Sequence, residues 1–171
     1  MAREPARTLA RDGERLITWC EGFARETAAL MDDVAAQVDD KLGHDGITVW
    51  ELDGRPVACA GISRTIADMA RVALVYTPPE LRGRGYAGAA TAAVSRAARA
   101  AGVKEVLLFA DLDNLTSNAL YQRLGYRPVG TIGCCPSPPP RNKVTPRKSC
   151  VIAAQRHRAL ECPRPLTLEA P

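Results

Sequence analysis

The residue types best suited to chemistry lie where a glycine-rich turn meets the start of a helix. Arg82-Gly83-Arg84-Gly85-Tyr86-Ala87 follows an apolar stretch, Val72, Leu74, Val75 and Tyr76, that reads as a strand. Pro78 and Pro79 close that strand, because proline cannot donate to a ladder. The alanine-rich run from Tyr86 to Ala101 then reads as a helix. Strand, glycine turn and helix start, in that order, converge free backbone N–H groups on one point, and the positive end of the helix dipole adds to their pull on an anion. The turn is not a Walker phosphate loop, which ends in Gly-Lys-Ser/Thr. Gly83-Arg84-Gly85-Tyr86-Ala87-Gly88 fits the dinucleotide pattern G-x-G-x-x-G in form, but a lone mid-chain match is a weak signal.

Other candidate groups carry less. None of Cys20, Cys59, Cys134, Cys135, Cys150 and Cys162 forms a C-x-x-C pair, so no metal site is expected and the thiols are read as free. Asp32-Asp33 and Asp39-Asp40 resemble carboxylate dyads, but adjacent residues on a helix diverge by about 100° and do not face each other. They read as a solvated face, and His44 as a loop histidine.

The elements that must position the glycine turn follow from periodicity. Arg7 to Arg11 suggests a short first strand. Asp12 caps a helix that buries Leu16, Trp19, Cys20 and Phe23, and a second amphipathic helix runs from Thr27 to Leu42. Thr48–Leu52, a hairpin turn at Asp53-Gly54, and Pro56–Ile62 then lead into the strand before the turn, an antiparallel meander. Gly102 ends the alanine-rich helix. Lys104 to Ala110 reads as a strand buried on both faces, parallel to the strand before the turn through a right-handed crossover. Asp113 to Tyr126 forms a further helix, with Asn114 as cap, Leu120 and Leu124 on its buried face and Gly125 as stop, before a strand that opens at Tyr126.

At 171 residues the chain fits one core-forming domain. No apolar run is long enough to cross a membrane and no signal-peptide pattern opens it, so a cytoplasmic protein is expected. Its net charge of +4 is uneven: residues 1–130 hold 16 basic and 17 acidic side chains, and the last 41 residues hold seven basic and two acidic ones. That basic end lacks aromatic residues, so no nucleic-acid partner is expected. It also carries eight of the 13 prolines and four of the six cysteines, a composition that favours extended or disordered chain. The expected division is therefore a folded domain at 1–130 and an atypical Pro/Cys-rich basic tail at 131–171 that resembles a foreign reading frame. Only Ser149–Ala154 could make a strand there. The sheet would then lack its last strand, and the bare edge would invite pairing with a second copy as a homodimer.

Two motifs resemble the GNAT superfamily of acyl-CoA-dependent N-acetyltransferases. Arg82-x-x-Gly85-x-Ala87 is similar to that family's R/Q-x-x-G-x-G/A pyrophosphate loop. Asn114 to Tyr126 resembles its fourth-helix signature N-x-x-x-x-A-L-Y-x-x-L-G-Y, and the two stand in the family's order. The resemblance implies a mixed α/β fold: a mostly antiparallel sheet with one splayed parallel pair at the acyl-CoA site and helices on both faces. It implies acetyl-CoA as co-substrate, with the backbone of Val75, Tyr76 and Thr77 pairing with the pantetheine arm. The N–H groups of Gly83, Arg84, Gly85, Tyr86 and Ala87 would hold the pyrophosphate, with Arg82 fixing the loop or meeting a phosphate and Asn114 touching CoA. Tyr121 matches the family's proton donor to the departing thiolate. The implied activity is transfer of acetyl to a primary amine of a small molecule by direct attack. No carboxylate lies on the central strand to serve as base; Glu80 and Asp68 flank it without matching a motif. The alternative is a catalytically silent acyl-CoA-binding domain. The N-terminal helices do not name the acceptor.

Overall fold

The computed structural model describes residues 5–7, 13–27, 33–134 and 148–156. Its elements are β1 (Pro5–Arg7), α1 (Gly13–Thr27), α2 (Val34–Gly43), β2 (Ile47–Leu52), β3 (Arg55–Ile62), β4 (Met69–Tyr76), α3 (Tyr86–Ala100), β5 (Glu105–Asp111), α4 (Leu115–Arg123), β6 (Arg127–Cys134) and β7 (Lys148–Arg156). The seven strands form one sheet in the order β1-β2-β3-β4-β5-β7-β6, in which β4 and β5 are parallel and the other neighbours antiparallel.

The meander forms as expected. Asp53 (φ 52°) and Gly54 (φ 74°) make a tight turn of the hairpin type between β2 and β3. Ala67 (φ 49°) and Asp68 (φ 62°) make a similar turn before β4, closed by mutual Ile66–Met69 backbone bonds of 2.8 and 3.0 Å. β1 comes earlier than expected, at Pro5–Arg7, and Asp12 lies outside the described residues. The expected helix from Thr27 to Leu42 is corrected: Thr27 ends α1, and the next helix starts at Val34 behind Asp33, whose carboxylate accepts the Ala36 N–H at 3.0 Å. Asp33 takes the left-handed φ of 47°, and such a break interrupts an amphipathic pattern that reads as continuous.

Two cores flank the sheet. α3 covers one face, burying Ala90, Ala93 and Val94 against Trp50, Ala58, Ala60, Val72, Val106 and Leu108. α1 and α2 cover the other, where Leu16, Trp19, Cys20 and Val38 meet Ile47, Val49, Cys59 and Leu74. Burial along β5 alternates, with Phe109 40% exposed, so the expectation of a strand buried on both faces is corrected. α1 and α2 pack on β2, β3 and β4 and leave that side of β5 open.

A larger correction concerns the tail. Lys148–Arg156 is strand β7, inserted between β5 and β6, so the sheet does not lack its last strand. Ala153 pairs with Leu108 on one side and Pro128 on the other, and is 6% exposed. A strand with a ladder on each side needs only a short apolar run with small side chains, and Ser149–Ala154, the run expected to be able to form a strand, supplies it. The Gln155 amide donates to Leu124 C=O at the end of α4, tying β7 to that helix.

Candidate cofactor and active site

The site is opened by one extra residue. In β3–β4 pairing, Gly61 faces Leu74 and Ile62 faces Val72, which leaves Ala73 as a bulge. The bulge switches the side-chain alternation: Ala70 and Val72 lie in the α3 core, but Leu74 lies in the α1/α2 core. The parallel ladder between β4 and β5 stops at the same level, at Val72 and Leu108. Beyond it β4 stays paired to β3 through Tyr76, and β5 to β7 through Asp111. The two strands therefore separate, and Val75, Tyr76 and Thr77 line the β4 side of the opening.

The glycine turn stands at the mouth of that opening. A short 3-10 turn at Pro79–Leu81 leads into it, and the Arg82 N–H still bonds Pro79 C=O at 3.3 Å. The next recorded donor is Ala89, to Gly85 C=O at 3.1 Å; among the described residues, the N–H groups of Gly83 to Gly88 have no acceptor. Gly83 (φ 76°) and Gly85 (φ 81°) take the left-handed backbone that presents these donors, and a Cβ on either would meet nothing within 4 Å. Gly85 is the N-cap of α3 without a side-chain cap. Six N–H groups without an acceptor among the described residues, at and just before a helix N-terminus, make a candidate anion seat.

The expected site residues divide. Arg84 is exposed beside the seat, whereas the Tyr86 ring is buried in the core, so only its backbone faces the loop. The Arg82 side chain turns back: Nε donates to Thr77 C=O at 2.9 Å, Nη2 to both Glu26 carboxylate oxygens at 2.7 and 2.8 Å, and Cζ stands 5.8 Å from the Tyr76 ring centroid. Thr77 Oγ1 is buried with no hydrogen-bond partner among the described residues. Gly88 explains how α4 reaches the seat: a Cβ there would meet Leu120 Cδ1 at 2.9 Å, so glycine lets α4 lie against the first turn of α3.

On α4, Asn114 caps the helix, its Oδ1 accepting the Ser117 N–H at 3.0 Å. Asn118 Nδ2 braces the preceding loop through Asp111 and Leu112 carbonyls at 3.0 and 3.2 Å. Gly125 (φ 90°) closes the helix, with Tyr126 N–H bonding Tyr121 C=O at 3.0 Å. Tyr121 packs half-buried, edge-on to Tyr126 at 6.1 Å between centroids. Burial, with Tyr126 nearby, pushes its phenol up to about 12, so it stays protonated at neutral pH. Beneath it Tyr126, 1% exposed, shares a 2.7 Å hydrogen bond with Ser95 Oγ, which donates to Thr91 C=O at 2.6 Å.

Neither flanking carboxylate is well set as a base. Asp68 pairs with Lys104 at 2.7 Å at the far end of β4, roughly 30 Å of extended chain from Thr77. Glu80 is exposed in the 3-10 turn. Glu26, missed by the sequence reading, reaches the loop only by way of Arg82. Asp40 is a surface group held below the usual carboxylate range by its bond to Arg64, and His44, a loop residue as expected, ties Asp40 C=O at 2.6 Å.

A family model described as acetyltransferase (GNAT) family matches residues 14–126, and the chain belongs to that family, one of acyltransferase enzymes that use acetyl-CoA. Solved structures share the fold at low identity. An N-acetyltransferase from Staphylococcus aureus Mu50 aligns with TM-score 0.73 and 16% identity over 91% of this chain and 99% of that one. A ribosomal-protein-alanine N-acetyltransferase from Brucella melitensis gives 0.73 and 19% over 90% and 99%. The yncA protein of Salmonella typhimurium, solved with its cofactor acetyl-CoA, gives 0.71 and 16% over 95% and 99%. No curated protein matches the chain in sequence. Among the described residues no helix is long and apolar enough to cross a membrane.

Proposed function

We propose that this protein transfers the acetyl group of acetyl-CoA to a primary amine of a small molecule in the cytoplasm, by direct attack in a ternary complex. The observation that carries this reading is the run of unpartnered N–H groups from Gly83 to Gly88 at the mouth of the β4–β5 opening. The pyrophosphate takes that seat. The pantetheine arm enters the opening and pairs with the β4 backbone at Val75 to Thr77, and Asn114 meets CoA from the start of α4.

The amine nitrogen attacks the thioester carbonyl carbon, the C–S bond breaks, and the amine's proton leaves to solvent. Tyr121 supports the departing thiolate. A phenol at about 12 is a weaker acid than a thiol of about 8.5, so full proton transfer from it to sulfur is uphill. Its contribution is a hydrogen bond donated to sulfur as negative charge develops.

Two neighbours, from Brucella melitensis and Escherichia coli, are named as ribosomal-protein-alanine N-acetyltransferases, which favours a second reading in which the acceptor is a peptide N-terminus. The test is calorimetric titration of the full chain with acetyl-CoA, followed by thiol release with a panel of small amines and Ala- or Ser-initiated peptides. One-to-one binding and release with a small amine supports the first reading, and release only with peptides the second. Binding with no turnover makes the protein a silent acyl-CoA-binding domain, and folded protein that does not bind removes the cofactor site.

A further inference from the structure

We propose that Glu26 is a positioning residue for the cofactor loop: acting through Arg82, it holds the donors of Gly83–Gly85 in place, and Arg82 serves as a brace rather than as a phosphate ligand. The inference rests on the acetyl-CoA reading above for its binding arm only.

Arg82 commits Nε and Nη2 to protein, and among the described residues Nη1 has no partner. Nε bonds the carbonyl that ends β4, Nη2 reaches both oxygens of Glu26, and the guanidinium lies toward the Tyr76 ring. Among the described residues these are the hydrogen bonds that tie the loop after Leu81 to another element; the loop's own bonds are Arg82 N–H to Pro79 and Ala89 N–H to Gly85. Gly83 and Gly85 add conformational freedom and α3 has no side-chain cap. The helix itself and the buried Tyr86 ring hold the N–H groups of Tyr86 to Gly88; those of Gly83, Arg84 and Gly85 have the Arg82 tie.

The placement of Glu26 is built into α1. Trp19, Gly22 and Glu26 recur at three- and four-residue steps and share a face. Trp19 lies 6.2 Å from Tyr76 between ring centroids, and a Cβ on Gly22 would come within 2.5 Å of the Tyr76 hydroxyl. The notch at Gly22 thus sets how deeply α1 seats on the end of β4, and the next turn delivers Glu26 to Arg82. Both side chains of this ion pair are 45% exposed, so it adds little to global stability. Its effect is local, on the order of the loop.

The test uses the full chain with Glu26→Ala, Glu26→Gln, Arg82→Ala and the Glu26→Ala/Arg82→Ala double variant. Acetyl-CoA affinity is measured from low to high salt, with backbone NMR order parameters over Gly83–Gly85 in the unliganded protein. For a brace, each alanine variant weakens binding about fivefold, the double variant is no weaker than either single one, Glu26→Gln loses less, and the salt slope is unchanged. Loop order parameters fall while the melting temperature holds. If Arg82 is a phosphate ligand instead, Arg82→Ala flattens the salt dependence and Glu26→Ala tightens binding by releasing a cation; either result overturns the proposal. Should the parent chain not bind acetyl-CoA, the functional reading fails, and unchanged loop order parameters in Glu26→Ala still decide against the brace.

Discussion

Gly85 offers the sharpest test of the anion seat, because backbone and charge effects can be separated there. It sits at φ 81°, where an L side chain costs about 1–2 kcal/mol, offset by roughly 0.4–1 kcal/mol of lost freedom in the unfolded chain. A Cβ at this position meets nothing within 4 Å, so no steric term adds. Gly85→Ala, Gly85→Gln and Gly85→Glu should therefore share a loss of about 1 kcal/mol, a fall of about 2–4 °C in Tm. Their affinities should part. A carboxylate about 5 Å from a pyrophosphate charge is repelled by about 1 kcal/mol in water and about 3 kcal/mol at an effective dielectric of 20. Gly85→Glu should thus bind acetyl-CoA roughly 5- to 200-fold more weakly than Gly85→Gln. The gap should close at about 1 M salt, where the screening length falls to about 3 Å. Calorimetry of the three variants at low and high salt reads both quantities. Equal affinities for Gln and Glu at low salt would place the anion elsewhere and refute the reasoning.

Four further outcomes are expected. Tyr121→Phe should lower kcat about a hundredfold and leave acetyl-CoA affinity intact; equal loss of both would make the residue structural. With its folded-state value raised to about 12, Tyr121 contributes stability that is full below about pH 10 and lost as pH rises from there toward 12, so Tyr121→Phe should flatten that part of an alkaline stability curve. Ser95→Ala strands the buried Tyr126 hydroxyl at a cost of about 1–3 kcal/mol, whereas Tyr126→Phe leaves Ser95 donating to Thr91 and costs about 1 kcal/mol. In urea the double variant should be no less stable than Ser95→Ala, and an additive double loss would contradict the pair. Ala153→Asp puts a carboxylate into the core between β5 and β6 and should cost at least about 3 kcal/mol; an unchanged melting temperature would take β7 out of the sheet.

What could be read from the sequence is what neighbouring residues decide among themselves. The glycine turn at Gly83 and Gly85, the helix stops at Gly102 and Gly125, the cap at Asn114 and the Asp53-Gly54 turn all act within a few residues, and each was expected and is present. The contacts that were missed join distant residues: Glu26 to Arg82 across 56 positions and Ser95 to Tyr126 across 31. Composition misled at β7, because a strand with a partner on each side draws its stability from those ladders and needs only its own few residues to comply.

The bulge at Ala73 shows why the site itself is harder to read than its motifs. Val72, Leu74 and Tyr76 alternate without a break, and an alternating run predicts that all three face one side. In the folded chain Val72 faces α3, while Leu74 and Tyr76 face α1. Both facings are apolar, so hydrophobicity along β4 carries no mark of the switch; only the register against β3 records it. Yet the switch has two consequences at once. It turns Tyr76 under α1, where the ring meets Trp19 and Arg82, and it coincides with the end of the ladder to β5. The anion seat is specified locally by its glycines, but the opening it serves is specified by a pairing register that no single segment contains.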